Sequence, residues 1–277
     1  MTEISSYRTN LLYRDSMNKN AKNNHKYMLI LDLGNTSASV AIFNRKRLVS
    51  RARLTYDNFP NSVLNFIKSG RIEPVLCVFC SVNPKFDSRL KAFLKQKYPK
   101  MAHFQLKNGD IPLKNRYKNK NQAGVDRLVN VFGAGKLHGF PCLVIDIGTA
   151  ITFDIGGPDG SFEGGLIFAG PNLSFNALQK GTAKIGKFPF EFSFKKTLLG
   201  KSTRECVNQG LAYGYGNLIR GIIDEFRQFS KKKWKKNPKV VVTGGYLNVI
   251  KPYLSKDDVC DEFLTLKAMS LLQEEIS

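Results

Sequence analysis

The sequence predicts an α/β protein built from two related halves. The first observation is a repeat: residues 29–43 (LILDLGNTSASVAIF) and 143–155 (LVIDIGTAITFDI) each contain an apolar run, an Asp-x-Gly turn and a second apolar run. The second is that apolar runs of strand length alternate with segments of helical periodicity. The third is that glycines follow several predicted strands, at the strand ends where α/β proteins bind ligands.

The N-terminal half is predicted to follow a tail. Residues 1–27 are rich in asparagine and basic residues and show no sustained periodicity, so we expect a flexible basic tail. The first Asp-x-Gly repeat is predicted to be a β-hairpin. The pattern then predicts strands near residues 48–54 and 74–81 and helices near residues 59–68 and 87–97.

The C-terminal half is predicted to begin at the end of a polar loop, residues 107–123, which is rich in asparagine and lysine. We therefore expect an N-terminal half at residues 28–122 and a C-terminal half at residues 123–277. Within the latter the pattern predicts a second hairpin, a turn at 156–160, strands at 162–168 and 240–246, and helices at 125–137, 173–179 and 202–229.

The composition is that of an ordinary globular protein. The chain has 277 residues, of which 42% are hydrophobic and 23% are charged, and this is enough to bury a core. No stretch reaches the roughly 18 apolar residues that a membrane-spanning helix needs, and the chain does not begin with an apolar secretory segment. We therefore expect a cytoplasmic protein without a membrane partner.

The five cysteines are scattered, which argues against a disulfide framework and against structural zinc. Cys77 and Cys80 lie in the apolar run VLCVFC, which is predicted to be a strand. Residues three apart in a strand point to opposite faces, so this pair should not share a metal. We expect free, buried thiols.

The chain is strongly basic, with 43 Lys and Arg against 22 Asp and Glu and a formal net charge of +21. Such a charge raises the local concentration of anionic substrates and also permits non-specific nucleic-acid binding. The densest basic run, Lys231–Lys236, follows a predicted helix. A solvated helix end, a nucleic-acid or membrane contact and an acidic protein partner are three interpretations of this run.

The repeated turn suggests a chemistry. Each copy presents a carboxylate (Asp32, Asp146) at a strand end and then a glycine (Gly34, Gly148) that allows close backbone approach. Backbone N–H groups in such turns bind phosphates, and a carboxylate can bind the accompanying metal ion. Two copies therefore predict a nucleotide-dependent phosphotransferase, whereas either Asp taken alone could simply stabilise its turn.

Further motifs appear in an order that resembles the type III pantothenate kinases, which belong to the acetate kinase, sugar kinase, Hsp70 and actin superfamily. The resemblance covers residues 28–277; Met28 lies where many members of the family begin, so Met1 could be a misassigned start. The matching segments are Asp32–Thr36 (DLGNT), Gly124–Arg127 (GVDR), Asp146–Ala150 (DIGTA), Gly164 and Gly165 with Gly170, Ala177–Ala183 (ALQKGTA) and Thr243–Gly245 (TGG).

The resemblance implies a fold of two actin-like, ribonuclease H-like halves with mixed sheets flanked by helices, and a homodimer. It implies ATP-dependent phosphorylation of pantothenate to 4′-phosphopantothenate, the first step of coenzyme A biosynthesis. The implied cofactors are ATP, Mg²⁺ and a monovalent cation, K⁺ or NH₄⁺. We do not expect nucleic-acid binding, although the family's relatives leave an accessory or nucleic-acid-binding regulator of the same fold as the alternative.

The resemblance also assigns site residues. Asp126 is the implied catalytic base, and Asp32 and Asp146 are the implied metal ligands. The implied ATP-binding residues are Asp32, Gly34, Asn35, Thr36, Gly148, Thr149, Thr243, Gly244 and Gly245. The implied pantothenate-binding residues are Tyr117, Gly124, Val125, Arg127 and Thr182.

These residue types suit the reaction independently of the resemblance. A carboxylate such as Asp126 can accept the proton of a primary hydroxyl as it attacks the γ-phosphorus. Arg127 offers a permanently charged fork for a substrate carboxylate. The alternatives are that Asp126 is a helix N-cap with Arg127 as its surface neighbour, that Thr182 is a hydroxyl cap, and that Thr243 only ends a strand.

Overall fold

The computed structural model describes residues 27–193 and 198–276, with side chains described through residue 272. Residues 1–26 of the predicted tail lie outside the described residues. Tyr27, the last residue of that predicted tail, instead begins the first strand, because its side chain packs against the apolar core of the first sheet.

The first sheet is mixed and has the strand order β3-β2-β1-β4-β5. Its strands are β1 (Tyr27–Leu33), β2 (Ser37–Asn44), β3 (Arg47–Thr55), β4 (Pro74–Ser81) and β5 (Ala102–Gln105). β1 pairs antiparallel with β2 and parallel with β4, so the predicted first hairpin is confirmed. β4 has the predicted bounds, whereas β5 is too short for its alternation to stand out in the sequence.

Helices accompany this sheet in the first unit. They are α1 (Asn61–Ser69), α2 (Pro84–Lys97), the first part of α3 (Val125–His138) and the C-terminal helix α7 (Leu264–Ile276). Apolar residues of α1 and α2, among them Ile67 and Leu94, pack with Leu29 and Leu31 of β1 in one buried cluster. The full burial of these side chains is the main stabilising term for this layer, at roughly 1.5–3 kcal/mol each.

The second sheet repeats the first. Its strands are β6 (Cys142–Ile147), β7 (Ala150–Gly156), β8 (Phe162–Ala169), β9 (Lys239–Thr243) and β10 (Val259–Cys260). Read from β8, their order is β8-β7-β6-β9-β10, the counterpart of β3-β2-β1-β4-β5. The predicted duplication of an actin-like, ribonuclease H-like unit is therefore confirmed.

Three helices accompany the second sheet: α4 (Pro171–Gly181), α5 (Thr203–Trp234) and the short α6 (Leu247–Ile250). Ser202 caps α5, because its hydroxyl accepts a hydrogen bond from the backbone N–H of Glu205 at 3.3 Å. Along α5, Ile219, Ile223 and Phe226 pack into the core of this unit. Their spacing of three to four residues is that of an amphipathic helix.

α5 continues beyond its predicted end at residue 229. Trp234 packs edge-on against both Phe226 and Phe229, and this apolar contact stabilises the last turn. Lys231–Lys233 belong to that turn, and Lys235, in the left-handed conformation, ends the helix. The basic run therefore lies at a solvated helix end, as one interpretation of the sequence predicted.

The chain divides differently from the predicted single boundary after residue 122. Among the described residues, the first unit comprises 27–113, Tyr117–Gly133 and 264–276, and the second comprises Lys114–Arg116 and Ala134–Phe263. The C-terminal helix joins the first unit because α7 contacts β1 and β2. It also passes close to α3, where a side chain on Gly133 would overlap Ala268.

Candidate active site

Asp32 lies near the end of β1 and faces a thiol on the neighbouring strand. Cys80, directly opposite on β4, donates a hydrogen bond from Sγ to Asp32 Oδ1 at 3.3 Å. Burial, followed by the negative charge of Asp126, raises the pKa of Asp32 to about 6. A buried carboxylate with a raised pKa is stabilised by a cation, so Asp32 suits a metal ligand.

The side chain of a tyrosine outside the hairpin hydrogen-bonds to the backbone of the turn after Asp32. The hydroxyl of Tyr56 donates to the carbonyl oxygen of Gly34 at 2.6 Å and lies 3.2 Å from that of Ser37. The ring of Tyr56 is stacked on Phe86, with 3.8 Å between ring centroids. Asn35 is exposed at the tip of the turn. The residues at the tip of the turn are therefore exposed to solvent, while the backbone at Gly34 and Ser37 is fixed by Tyr56.

Asp126 occupies the first turn of α3. Its Oδ1 accepts a hydrogen bond from the backbone N–H of Arg127 at 2.9 Å. Burial raises the pKa of Asp126, and this hydrogen bond and the Arg127 charge oppose the shift. A Cβ atom on Gly124 would lie 2.5 Å from Asp126 Oδ1, so the missing side chain leaves room for the carboxylate.

Arg127 is buried and held by Tyr117. Its Nη1 donates to the Tyr117 hydroxyl at 2.7 Å, and its guanidinium lies 5.7 Å from the centre of the Tyr117 ring. Arg127 is only 6% exposed, so it is not the surface neighbour that one alternative envisaged. A buried guanidinium fixed on one side is preorganised to bind an anion on another.

The second hairpin places Asp146 near the end of β6, followed by Gly148 and Thr149. The N–H of Gly148 donates to the carbonyl oxygen of Ala150 at 3.0 Å, as that of Gly34 does to Ser37 at 3.1 Å in the first hairpin. Gly170 donates to the carbonyl oxygen of Thr149 at 2.8 Å. A side chain on Gly170 would overlap the Gly148 and Thr149 backbone, so this approach requires glycine.

The Thr243–Gly245 segment lies beside Asp146. Thr243, at the end of β9, is directly opposite Asp146 in the parallel pairing with β6. Gly244 has a φ of +98°, and a Cβ there would lie 2.5 Å from Asp146 Oδ1 and from the backbone nitrogen of Ile147. The glycine therefore allows this turn to lie directly against the Asp146 hairpin.

The predicted residues fall into two groups. In the first unit, Asp32 and Asp126 are close enough for the charge of Asp126 to raise the pKa of Asp32, and Tyr117 contacts Arg127. In the second unit, Asp146 adjoins Gly244. Thr182, also in the second unit, is exposed just after α4, and its hydroxyl donates to the Leu178 carbonyl oxygen at 2.8 Å.

Metal binding here depends on few protein ligands. Within the described part of the chain, no group of three or more His, Cys, Asp and Glu side chains could hold a metal ion. Mg²⁺ needs only one or two carboxylates, since water and nucleotide phosphates complete its shell. The donor chemistry of Asp32 and Asp146 therefore fits Mg²⁺ and does not fit a site made of protein ligands alone.

The sequence reasoning missed three residues of the first unit. Cys80 contacts Asp32, Tyr56 holds the turn, and Arg53 on β3 influences the pKa of Asp32. Pairing β3 and β4 correctly with the first hairpin would have found Cys80 and Arg53, because both lie level with Asp32 across the sheet.

The chain contains two sheets of the same order, each with an Asp-x-Gly hairpin, and the partly buried carboxylates Asp32 and Asp126 lie near each other. These features define a phosphotransferase of the duplicated actin-like class. A family model described as type III pantothenate kinase matches residues 28–225. The chain therefore belongs to the type III pantothenate kinase family, as the sequence motifs predicted.

Individual relatives agree with this assignment. A type III pantothenate kinase of Persephonella marina is 36% identical over 256 residues, which cover 87% of this chain and 96% of the relative. One from Listeria welshimeri is 31% identical over 88% of this chain and 96% of its own length. A crystal structure from Campylobacter jejuni, described as a Baf family transcriptional activator, is similar in fold, with a TM-score of 0.56 and 19% identity over 89% of this chain and 98% of its own.

Proposed function

We propose that this protein transfers the γ-phosphoryl group of ATP to pantothenate in the cytoplasm, forming 4′-phosphopantothenate as the first step of coenzyme A biosynthesis. The observation that carries the proposal is the arrangement of Gly124, Asp126 and Arg127 at the start of α3, with Asp126 close enough to act on the charge state of Asp32. Family membership supports both the reaction and the acceptor.

Asp126 acts as the general base. It accepts the proton of the pantothenate primary hydroxyl as the oxygen attacks the γ-phosphorus, a role that typically contributes about 10²- to 10⁴-fold to the rate. The raised pKa makes this carboxylate a better proton acceptor than an ordinary aspartate. The N-terminus of α3 and the Arg127 N–H stabilise its ionised form before the transfer.

The pantothenate subsite is built from the same segment. The fixed guanidinium of Arg127 pairs with the substrate carboxylate, and the Tyr117 hydroxyl sets the orientation of the guanidinium. Gly124 and Val125 supply backbone beside the acceptor hydroxyl. Thr182 adds a hydroxyl contact to pantothenate.

The ATP subsite uses both hairpins. In each, the glycine N–H closes the turn, so phosphate contacts fall on the groups beyond it: Asn35 and Thr36 in one hairpin and Thr149 in the other. Thr243, Gly244 and Gly245 contact the adenosine. Asp32 and Asp146 would supply carboxylate ligands to Mg²⁺, which would neutralise charge on the transferred phosphoryl group. A monovalent cation, K⁺ or NH₄⁺, would complete the site.

The protein forms a homodimer through an apolar surface of the second unit. Leu166, Ile167 and Phe168 are exposed in succession on the edge strand β8, and Leu173 and Leu178 are exposed on α4. Beside them is a cavity of about 440 Å³, lined by residues of β8, α4 and α5. Leu166 and Phe168 share the face of β8 beside this cavity, and Ile167 projects from the other face. Exposed apolar side chains grouped on an edge strand mark a protein interface.

The dimer is tested by light scattering of the intact chain. We expect twice the mass of one chain, and we expect Leu166→Glu to reduce it to a single chain because a charge would be buried in the interface. Val49→Glu, on the exposed edge strand β3 of the first sheet, is the matched control. A wild-type monomer would refute the dimer.

The function is tested by a coupled assay of ADP release with ATP, Mg²⁺ and K⁺, run with and without pantothenate. We expect release only with pantothenate. Release with another hydroxyl acceptor from a substrate panel, and none with pantothenate, would reassign the substrate. No release with any acceptor, together with salt-sensitive DNA or RNA binding, would favour the accessory regulator instead.

Within the described residues, no helix combines the length and apolar character required to cross a bilayer.

A further inference from the structure

Four side chains stand in one row across the first sheet: Arg53, Ser39, Asp32 and Cys80. Ser39 of β2 is directly opposite Asp32 of β1, and Arg53 of β3 is directly opposite Ser39. Side chains that are directly opposite on neighbouring strands project from the same face of a sheet. Arg53 therefore projects from the face that carries the Asp32 carboxylate.

The distance from β3 to β1 is short enough for the Arg53 side chain to reach a ligand bound beside Asp32. Two strand spacings separate β1 from β3, or roughly 10 Å. Ser39 between them has a short side chain, so it leaves the path from Arg53 to the Asp32 side chain open. Arg53 is exposed on the edge strand, and its guanidinium makes no hydrogen bond or ion pair with the residues whose side chains the structure describes, 27–193 and 198–272.

The electrostatics of this face call for a cation. Asp32 and Asp126 are carboxylates close enough for their charges to interact, and an ATP triphosphate would bring further negative charge to them. The positive charge of Arg53 opposes this negative charge, and the strand pairing places Arg53 level with Asp32.

We propose that Arg53 is a phosphate-binding residue of the ATP site, whose guanidinium extends over Ser39 to the oxygens of the triphosphate held at the Asp32–Thr36 turn. The inference rests on the proposed function for its ligand. A planar guanidinium is permanently charged and can bind two phosphate oxygens at once, which a lysine cannot do. Arg53 thereby extends the ATP site onto the edge strand.

The chain offers a matched comparison on the same strand. Arg47 begins β3, six residues or about 20 Å from Arg53, and is directly opposite Asn44 at the far end of the hairpin. A register shift lies between Arg47 and Arg53, so Arg47 is on the opposite face. Removing either arginine deletes one exposed positive charge from β3, but only Arg53 lies level with Asp32.

The test is equilibrium binding of Mg²⁺–ATP to the full chain and to Arg53→Gln, Arg53→Lys and Arg47→Gln. We expect Arg53→Gln to raise the ATP Kd by about 10- to 100-fold, the usual effect of losing a charge-assisted hydrogen bond. Arg53→Lys should lose less, because it keeps the charge without the fork. Arg47→Gln should bind ATP within about twofold of the wild type, since general charge effects are weak at this distance.

Two outcomes would overturn the inference. One is an ATP Kd for Arg53→Gln that matches that of Arg47→Gln. The other is a lower unfolding temperature for Arg53→Gln with unchanged ATP binding, which would make Arg53 a structural residue only. This result can be separated from the proposed function. If the wild type binds ATP but releases no ADP with pantothenate, the proposed acceptor substrate is wrong. The comparison of ATP Kd values would still show whether Arg53 binds the phosphates.

Discussion

At the scale of single residues, the geometry of the site depends most on glycines, whose lack of a side chain leaves room for neighbouring groups. Gly124 leaves room for the Asp126 carboxylate, and Gly244 lets the segment after β9 touch Asp146. Both glycines occur in motifs that the sequence analysis singled out. The reason that glycine is required at each position could not be predicted from the sequence, because it depends on which atoms lie opposite the glycine in the folded chain.

We predict that Gly124→Ala lowers kcat by about tenfold or more while leaving the ATP KM unchanged. The new methyl group would lie 2.5 Å from Asp126 Oδ1 and would displace the base from its position, and small displacements of catalytic groups are costly. Gly109→Ala in the same unit is the control, since no atom lies within 4 Å of its added methyl group. Steady-state kinetics of the two variants make the comparison, and equal kcat values would contradict it.

We predict that Gly244→Ala weakens ATP binding by about tenfold or more, because its methyl group would push the turn away from Asp146. The positive φ alone would cost of order 1–3 kcal/mol of stability. Gly139→Ala separates the two effects, since Gly139 has a φ of +97° but open space around it. Gly139→Ala should therefore lose stability and keep its ATP affinity, as measured by thermal unfolding and nucleotide titration. Equal ATP affinities for the two variants would rule out a role for the contact.

At the scale of elements, the β1–β2 turn depends on a residue outside its own hairpin. Tyr56 follows β3, and its hydroxyl reaches back to the Gly34 carbonyl oxygen while its ring stacks on Phe86 of α2. This arrangement joins the tip of the proposed ATP-binding turn to an aromatic group that also includes Phe59.

We predict that Tyr56→Phe raises the ATP KM several-fold and lowers the free energy of unfolding by about 1 kcal/mol, the typical net contribution of one hydrogen bond. The aromatic stacking remains, so any change reflects the hydroxyl alone. Tyr98→Phe, which removes a hydroxyl from the periphery of the same core, is the comparison. An ATP KM equal to that of the wild type would show that the turn does not need this support.

The sequence predicted most of these elements, and the misses have physical causes. Both hairpins, β4 and the buried helices show strong periodicity over many residues. β5 and β10, with four and two residues, are too short for a period to be recognised. α7 was missed, and with it the composition of the first unit, because its partners β1 and β2 lie more than 200 residues earlier in the chain.

The site was predictable in its motifs but not in its supporting residues. Asp32, Asp126, Asp146 and the Tyr117–Arg127 pair come from local patterns and from the family resemblance. Cys80 and Arg53 become neighbours of the site only through strand pairing, which is set by tertiary packing rather than by their own sequence context.

At the scale of the whole molecule, the charge of +21 suits a protein whose two proposed substrates are anions. The densest basic run lies at the end of α5, where Lys233 covers the rings of Phe229 and Trp234. The charge is thus consistent with steering of small anions.

The most direct test of the account compares wild type and Asp126→Asn in ADP release with and without pantothenate, with Mg²⁺–ATP binding measured in parallel. We predict pantothenate-dependent release by the wild type, a loss of about 10²- to 10⁴-fold in Asp126→Asn, and an ATP Kd that does not rise. Release by Asp126→Asn at the wild-type rate would contradict the assignment of the base. The absence of pantothenate-dependent release in the wild type would contradict the function itself.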